Sequence, residues 1–127
     1  MKLEEYFENA SGVGVLSTAD DKGVVNAAIY GRPHFMDENT VAFIASDRLT
    51  HANLKRNHSA IYLFKEDGSY KGHRLYLTKT REEKDSPLIE KIRRKKYKGI
   101  GNKDNIESKF LIYFQVDKIL PLIGDGK

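Results

Sequence analysis

The residues best suited to chemistry lie in the segment 41–57, between a buried strand and a short helix. The segment reads VAFIASDRLTHANLKRN and places Ser46, Arg48 and Thr50 directly before or at the start of the helix. Hydroxyls, a guanidinium and the free amides of a helix amino terminus are groups that bind phosphate. We therefore predict a phosphate site here, with Thr50 as the N-cap. The alternative is that Thr50 only caps the helix and Arg48 is solvated.

A second candidate is the basic run RRKKYK at 93–98. Clustered cations followed by an aromatic ring would suit a phosphate backbone and a stacked base, as in a nucleic-acid or polyanion-binding protein. The alternative is a solvated helix end, where cations interact favourably with the helix dipole. From Arg81 to Lys103 there are nine Lys or Arg and four Asp or Glu, against thirteen and fourteen elsewhere. The net charge of +4 therefore reflects this one segment.

Other common signatures of catalysis are missing from the sequence. It contains no GxxxxGK[ST], no GxGxxG between strand and helix, no HExxH and no GxSxG. The four histidines lie singly on four predicted elements, and their polar flanks favour exposed positions for His34, His51, His58 and His73. We therefore predict no metal site and assign no catalytic residue.

Hydrophobic patterning predicts the elements that position these segments. Strands are predicted at residues 13–19, 24–30, 40–46, 59–65, 71–80, 110–116 and 118–123. Helices are predicted at 2–10, from Thr50, and from Ser86 and Pro87, where the apolar stripe is Leu88, Ile89 and Ile92. An exposed loop is expected at 98–107, and Pro121 indicates a sheet edge. Because most turns are too short for parallel crossovers, the fold class is mainly β, an antiparallel barrel with short helices.

Length and composition exclude several classes of protein. A chain of 127 residues suits one domain, 1–127. It has no cysteine, which excludes disulfides, thiolate metal sites and a cysteine nucleophile. No apolar run approaches the roughly 20 residues of a membrane span. The mixed, acidic start MKLEEYFENA is unlike a signal peptide, so we expect a cytoplasmic protein without a membrane partner.

The order of these segments resembles the pyridoxamine 5'-phosphate oxidase-like family, the FMN-binding split barrels. The likeness covers roughly residues 2–120. It includes the sequence V-N-A-A on the second strand, from Val25 to Ala28. It also includes the buried strand followed by a loop and N-L-K-R-N, from Asn53 to Asn57.

This resemblance implies a six-stranded antiparallel split barrel that forms a homodimer, with two FMN molecules at the subunit interface. The second strand would lie along the flavin ring, and the third long strand and its loop would hold the other side of the ring and the phosphate. The implied FMN-binding residues are Asn26, Ala27, Ala28, Ile44, Ala45, Ser46, Arg48, Leu49, Thr50 and Asn53.

Two departures from the family pattern affect the prediction. Many members have Ser-Arg-Lys or Ser-x-Lys where this chain has Arg48-Leu49-Thr50, so two of the usual cations are absent, although Arg48 would restore one. True pyridoxamine phosphate oxidases end in a basic segment that binds the substrate phosphate. This chain ends in ILPLIGDGK, so we do not expect it to oxidise pyridoxamine phosphate.

Together these features indicate an FMN-binding redox protein or small oxidoreductase that exchanges electrons with a small-molecule donor or acceptor. Tyr30, Arg32 and His34 follow the second strand and are expected to border the site. The alternatives are a nucleic-acid or polyanion-binding barrel that uses 93–98, and a related barrel that binds a deazaflavin or haem.

Overall fold

A single antiparallel sheet forms most of the protein. The computed structural model describes the backbone of residues 2–96 and 109–126 and the side chains of 2–92 and 109–126. Within this part, the strands are β1 (Gly12–Ala19), β2 (Val25–Tyr30), β3 (His34–Phe35), β4 (Thr40–Ser46), β5 (Ser59–Glu66), β6 (Gly72–Lys84) and β7 (Lys109–Pro121). The helices are α1 (Leu3–Asn9), α2 (Leu49–Arg56) and α3 (Pro87–Lys96). The loop predicted over 98–107 and the side chains of the basic run 93–98 lie outside the described residues.

The strand order is β2-β1-β5-β6-β7-β4-β3, so β2 and β3 are the two ends of the sheet. Every neighbouring pair is antiparallel, from the β1–β2 hairpin to the long pairing of β6 with β7. The predicted mainly β fold class is confirmed, with six long strands and the two-residue β3. Among the described residues, no hydrogen-bonded ladder joins β2 to β3, so the barrel is split between these two strands.

One hydrophobic core fills the inside of the curved sheet. Every second side chain of β4 lies in this core, namely Val41, Phe43 and Ala45, as expected because side chains alternate between the two faces of a strand. Helix α1 adds Phe7, whose ring packs edge-on against Phe64 at 5.1 Å between centroids. On the other face of β4, Ala42 joins a smaller cluster under α3. This covering explains why the strand at 40–46 is apolar on both faces, as predicted.

The sheet is more continuous than the sequence indicates. The segments predicted as two strands at 110–116 and 118–123 form the single strand β7, and β6 runs four residues beyond its predicted end at Thr80, to Lys84. Both differences have one cause, which is that β6 and β7 pair with each other along most of their length. The pairing continues past two register shifts, at Tyr76/Leu77 and Lys79/Arg81, which are typical of β-bulges. The pairing of β4 with β7 ends at Gln115, so Pro121 pairs only with β6. The other side of β7 is therefore a free edge at Pro121, as predicted.

The helix starts differ in part from the predictions. The N-cap of α2 is Arg48, with extended backbone, and Thr50 is instead the second residue of the helix and is buried. The prediction that Thr50 is the N-cap was therefore wrong. In α3 the Ser86 hydroxyl accepts a hydrogen bond from the Leu88 amide at 3.2 Å, which confirms the predicted cap. Ile89 is buried and Ile92 packs beside it, but Leu88 is exposed and does not belong to the apolar stripe.

A tight approach between β1 and β5 gives a stability test. A Cβ added at Gly14 would lie 1.8 Å from the hydroxyl oxygen of Tyr62, which is buried and donates to the Gly31 carbonyl at 2.9 Å. We expect Gly14→Ala to lower the free energy of unfolding by about 1–3 kcal/mol, because overpacking must displace this ring. Urea denaturation followed by circular dichroism measures the change. Ser17→Ala, on the same strand, is the control, and equal stability of the two variants would contradict the prediction.

Candidate functional site

The three β2 residues predicted to lie along a flavin ring are divided between the two faces of the strand. Asn26 and Ala28 are half-buried, whereas Ala27 is exposed together with Val25 and Ile29. Because successive side chains point to opposite faces, Asn26 and Ala28 face the barrel side and Ala27 faces outwards. A ligand on one side of β2 would therefore contact either Asn26 and Ala28 or Ala27, but not all three side chains.

Helix α2 packs against the barrel side of β1 and β2. Asn53 donates from Nδ2 to Thr18 Oγ1 at 3.1 Å, and Thr18 pairs with Asn26 across the hairpin. The Thr50 hydroxyl hydrogen-bonds to the Tyr30 phenol at the end of β2. Thus the structure brings together Asn26, Thr50 and Asn53, which are far apart in the sequence. Thr50 and Asn53 are nearly fully buried in the single chain.

Tyr30 joins the two halves of this region. Burial raises the pKa of its phenol, and the hydrogen bond with Thr50 partly opposes that rise. The phenol is therefore neutral at physiological pH and retains a proton to donate. Its ring also packs edge-on against Phe43, with 6.1 Å between centroids. Tyr30 thus has a fixed position between α2 and the core.

The amino terminus of α2 has the properties of an anion site. Its N-cap, Arg48, makes no side-chain capping bond, and its first turn has no acidic residue. The side chain of Leu49 is more than half exposed. Helix amides at such a terminus point outwards and carry partial positive charge. The predicted loop of Arg48, Leu49 and Thr50 is therefore open to an anion through its backbone.

His51 is a site residue that the sequence did not reveal. It was expected to be exposed, but it is 1% exposed and stacks on Phe110 with 3.7 Å between ring centroids. Its Nδ1 lies 3.2 Å from Asp47 Oδ1 and its Nε2 lies 2.9 Å from Glu82 Oε2. Through these two carboxylates the imidazole links the first turn of α2 to β6.

Glu82 lies between the side chains of His51 and Lys79. Besides its contact with His51, its Oε1 lies 2.6 Å from Lys79 Nζ. Burial alone would raise the pKa of Glu82, but the hydrogen bonds and charges of His51 and Lys79 together outweigh it and leave the pKa below its usual value. The ionised carboxylate is therefore part of the folded state.

Lys109 is a second residue that sequence reasoning missed. It is the first residue of β7, pairs with Ser46 at the end of β4, and donates from Nζ to Ser46 Oγ at 2.8 Å. Ser46 and Ile44 line a cavity of about 200 Å³ together with Lys109. Ala45 is buried in the core between them and does not line it. A cation absent from the loop 48–50 is thus present on a neighbouring strand.

The same cavity brings in residues that follow the second strand. It is also lined by Tyr30, Arg32 and His34, the three residues expected to border the site after the second strand. These residues flank the split between β2 and β3. The two groups of predicted residues, those after β2 and those at the end of β4, therefore share one cavity.

The outer face of β1, β2 and β5 is apolar and largely uncovered. Val25 and Ile29 on the end strand β2 are 78% and 77% exposed. Val15 lies directly opposite Ile29 on one side and Leu63 on the other, so the apolar side chains are contiguous across three strands. The residues of this apolar outer face are Val13, Val15, Val25, Ala27, Ile29, Ile61 and Leu63. Contiguous exposed apolar side chains of this kind are typical of surfaces that pack against another molecule.

The described residues also lack features of two other kinds of protein. They contain no group of three or more His, Asp and Glu side chains arranged to hold a metal ion. None of their helices has the length and apolar character that crossing a membrane requires.

The charge network around His51 gives a pH prediction. Because the pKa of Glu82 is lowered in the folded state, its stabilising effect is complete above its ordinary value of 4.5 and is lost as pH falls through the folded value. We expect Glu82→Gln to reduce the free energy of unfolding by about 1 kcal/mol at neutral pH. Below about pH 4.5 the difference in unfolding free energy between this variant and wild type should become smaller. Urea denaturation at a series of pH values measures this gap.

Glu38→Gln, an exposed turn residue, is the matched control for that experiment. The unfolding free energy of Glu38→Gln should differ little from that of wild type at every pH. If the gap for Glu82→Gln stays constant from neutral pH to pH 3, the carboxylate has no favoured ionised state in the fold and the assignment is incorrect.

Comparison with known proteins adds evidence on the fold. No protein-family model matches the chain, and no curated protein matches it by sequence. A solved FMN-binding protein from Syntrophomonas wolfei is 22% identical with a TM-score of 0.73, covering 97% of this chain and 85% of the other. A reductase of F420 is 15% identical with a TM-score of 0.70, covering 91% and 94%.

A third similar structure is a protein from Lactobacillus delbrueckii that is provisionally identified as a pyridoxamine 5'-phosphate oxidase. It is 15% identical with a TM-score of 0.68, and the match covers 94% of this chain and 93% of the other. At these identities the similarity is one of fold. The chain therefore has the mainly β split-barrel fold of these proteins, and the resemblance inferred from its segments is confirmed at that level.

Proposed function

We propose that this protein is a homodimeric flavoprotein that binds FMN beside β2 and α2 and takes part in redox chemistry. The observation that carries the proposal is the uncapped start of α2 next to the half-buried Asn26 and Ala28. The similar fold of an FMN-binding protein supports the choice of ligand.

The dimer is supported by the apolar outer face. Val25 and Ile29 are more than three-quarters exposed on an end strand, where an uncovered apolar surface would invite unspecific association. Burial of such side chains is worth about 25 cal/mol for each Å² removed from water. A second copy of the chain covers an identical surface by two-fold symmetry, which is the commonest way for soluble proteins to do so.

The residues present fit an FMN molecule in three respects. The small side chain of Ala28 lets a flat ring approach the backbone of β2, and the Asn26 amide can meet a polar ring edge or the ribityl chain. The first amides of α2 and Arg48 suit a phosphate.

In this arrangement the protein binds and orients the cofactor. Bound FMN supplies the capacity to accept and pass on electrons. The uncapped amides of α2 hold the phosphate end, and His51 with Glu82 keeps that helix in place. Tyr30, which hydrogen-bonds to Thr50 in the first turn of α2, remains neutral, because burial raises the pKa of its phenol.

A deazaflavin is the second candidate ligand, because a reductase of F420 has a similar fold. The phosphate and ring contacts proposed for FMN apply equally to a deazaflavin. The two ligands differ in absorption and fluorescence, so a titration with each distinguishes them. Bound haem would instead show a Soret band, which neither flavin has.

A bulky side chain at position 28 should block the ring. We expect Ala28→Leu to weaken FMN binding about tenfold or more, because the added atoms fill the space on the side of β2 that faces α2. Quenching of flavin fluorescence on titration with protein measures the affinity. Ala52→Leu, on the exposed side of α2, is the matched control. Failure of the wild-type protein to bind FMN, or equal affinity of Ala28→Leu, would contradict the proposal.

A charge on the apolar outer face should break the dimer. We expect wild type at twice the chain mass of 14.5 kDa and Ile29→Lys at the monomer mass, because the ammonium would be buried between two copies. Light scattering after size-exclusion chromatography measures both. Ile123→Lys replaces another exposed isoleucine, beyond β7, and should remain dimeric. A monomeric wild type, or a dimeric Ile29→Lys, would refute the interface.

A further inference from the structure

We propose that the groove between α1 and the free edge of β7 binds an extended segment of a partner protein that contains lysine or arginine. The segment would add a strand to β7 and place its cationic side chains against the carboxylates of the groove. The groove lies beside Asn39, whereas the proposed cofactor site lies at the other end of β4, at Ser46. The inference goes beyond the proposed function and does not depend on it.

The edge of β7 is available for strand pairing. The ladder between β4 and β7 ends at Gln115, and the Val116 amide then donates to the Asn39 carbonyl at 2.8 Å. From Lys118 to Pro121, β7 pairs only with β6 among the strands that the structure describes. The backbone groups on its other side therefore have no strand partner in this part of the chain. An edge of this kind is a template for an added strand.

The groove in front of this edge has room for a bound segment and an apolar floor. Its volume is about 740 Å³, and its walls are α1, the turn between β3 and β4, and residues 116–119 of β7. The apolar residues that line it are Leu3, Phe35, Val116 and Ile119. Ile119 is 41% exposed, so a bound segment would remove apolar surface from water.

The charge of the groove favours a cationic segment. Five carboxylates and two lysines line it, in a chain whose net charge is +4. The ion pairs among the described residues involve none of the four glutamates of the groove. The ammonium of Lys118, one of the two lysines, lies over the Tyr76 ring at 4.6 Å from its centroid. The carboxylates, which attract lysine and arginine side chains, are Glu4, Glu5, Glu8, Glu38 and Asp117.

The combination of an apolar floor and carboxylates suits the shape of a lysine or arginine side chain. Such a side chain covers apolar surface with its methylene stem and keeps its charged head at the rim. In an extended segment, alternate side chains point to the same side. We therefore expect Lys or Arg at every second position of the bound segment.

The free edge limits the length of the added strand. Pro121 has no N–H group to donate, so pairing along β7 is restricted to a few residues before it. Charged residues and proline on an edge strand also oppose open-ended association. The edge thus suits a short segment of a partner better than a continuous sheet between copies.

The test is an NMR titration of the full chain with the peptide Lys-Val-Lys-Val-Lys, blocked at both ends. We expect saturable shifts at the amides of residues 117–120. The double variant Glu5→Gln, Glu8→Gln should bind the peptide about fivefold more weakly, because two exposed charge pairs are lost. The double variant Asp21→Asn, Asp67→Asn changes the net charge equally on exposed turns and should bind as wild type.

Two further ligands separate strand addition from charge attraction alone. Lys-Val-Pro-Val-Lys retains the charges but lacks the central N–H group, and it should bind about fivefold more weakly or worse. Spermidine, a small polyamine, should not reproduce the shifts of residues 117–120.

The inference would be overturned by the absence of saturable binding, or by equal affinities of wild type and the Glu5→Gln, Glu8→Gln variant. Equal affinity for the proline peptide, or the same shifts with spermidine, would refute strand addition. Shifts of these amides on dilution of the protein without peptide would show that a second copy occupies the groove instead.

Discussion

The split between β2 and β3 is the constraint on which the arrangement of the site depends. A sheet that curls around a core of Phe43, Tyr62 and Phe114 would normally close by pairing its end strands, but here the chain turns away at Gly31 and Pro33. Proline cannot donate to a ladder, so the short β3 pairs with β4 alone. The unpaired end strand leaves space for a ligand, and the cavity next to Lys109 occurs at this split.

Helix α2 keeps its position beside the split through polar contacts more than through apolar burial. Leu54 is its single residue in the main core, whereas Asn53 bonds to Thr18, Thr50 to Tyr30, and His51 to Glu82. Each bond is directional, so the helix cannot rotate or slide without leaving a buried polar group unpaired, at a cost of about 1–3 kcal/mol for each group. This arrangement keeps the uncapped amides in one orientation.

The parts of the fold that depend on local patterning were predictable. Alternation and the DDKG turn gave the β1–β2 hairpin, and apolar runs gave β4 and β5, because these signals lie within a few residues. The site residues His51 and Lys109 were not predictable, since their partners Glu82 and Ser46 are 31 and 63 residues away. Polar flanks made His51 look exposed, and only the packing of Phe110 against α2 buries it. The N-cap was predicted at Thr50, but the Thr50 hydroxyl bonds to Tyr30 and Arg48 is the N-cap. The sequence does not indicate the contact with Tyr30.

The position of the missing cations has a consequence for ligand charge. In a loop with Arg and Lys, positive charge would concentrate at the phosphate end, but this loop has Leu49 and Thr50 after Arg48. Lys109 and Arg32 bring positive charge to the cavity that Tyr30 and Ser46 line, next to the start of α2. Under the proposed binding mode, the amides of α2 and these neighbouring side chains would hold the phosphate together. The positive charge that the loop lacks is then supplied by residues from β7 and from the turn after β2, which are distant in the sequence.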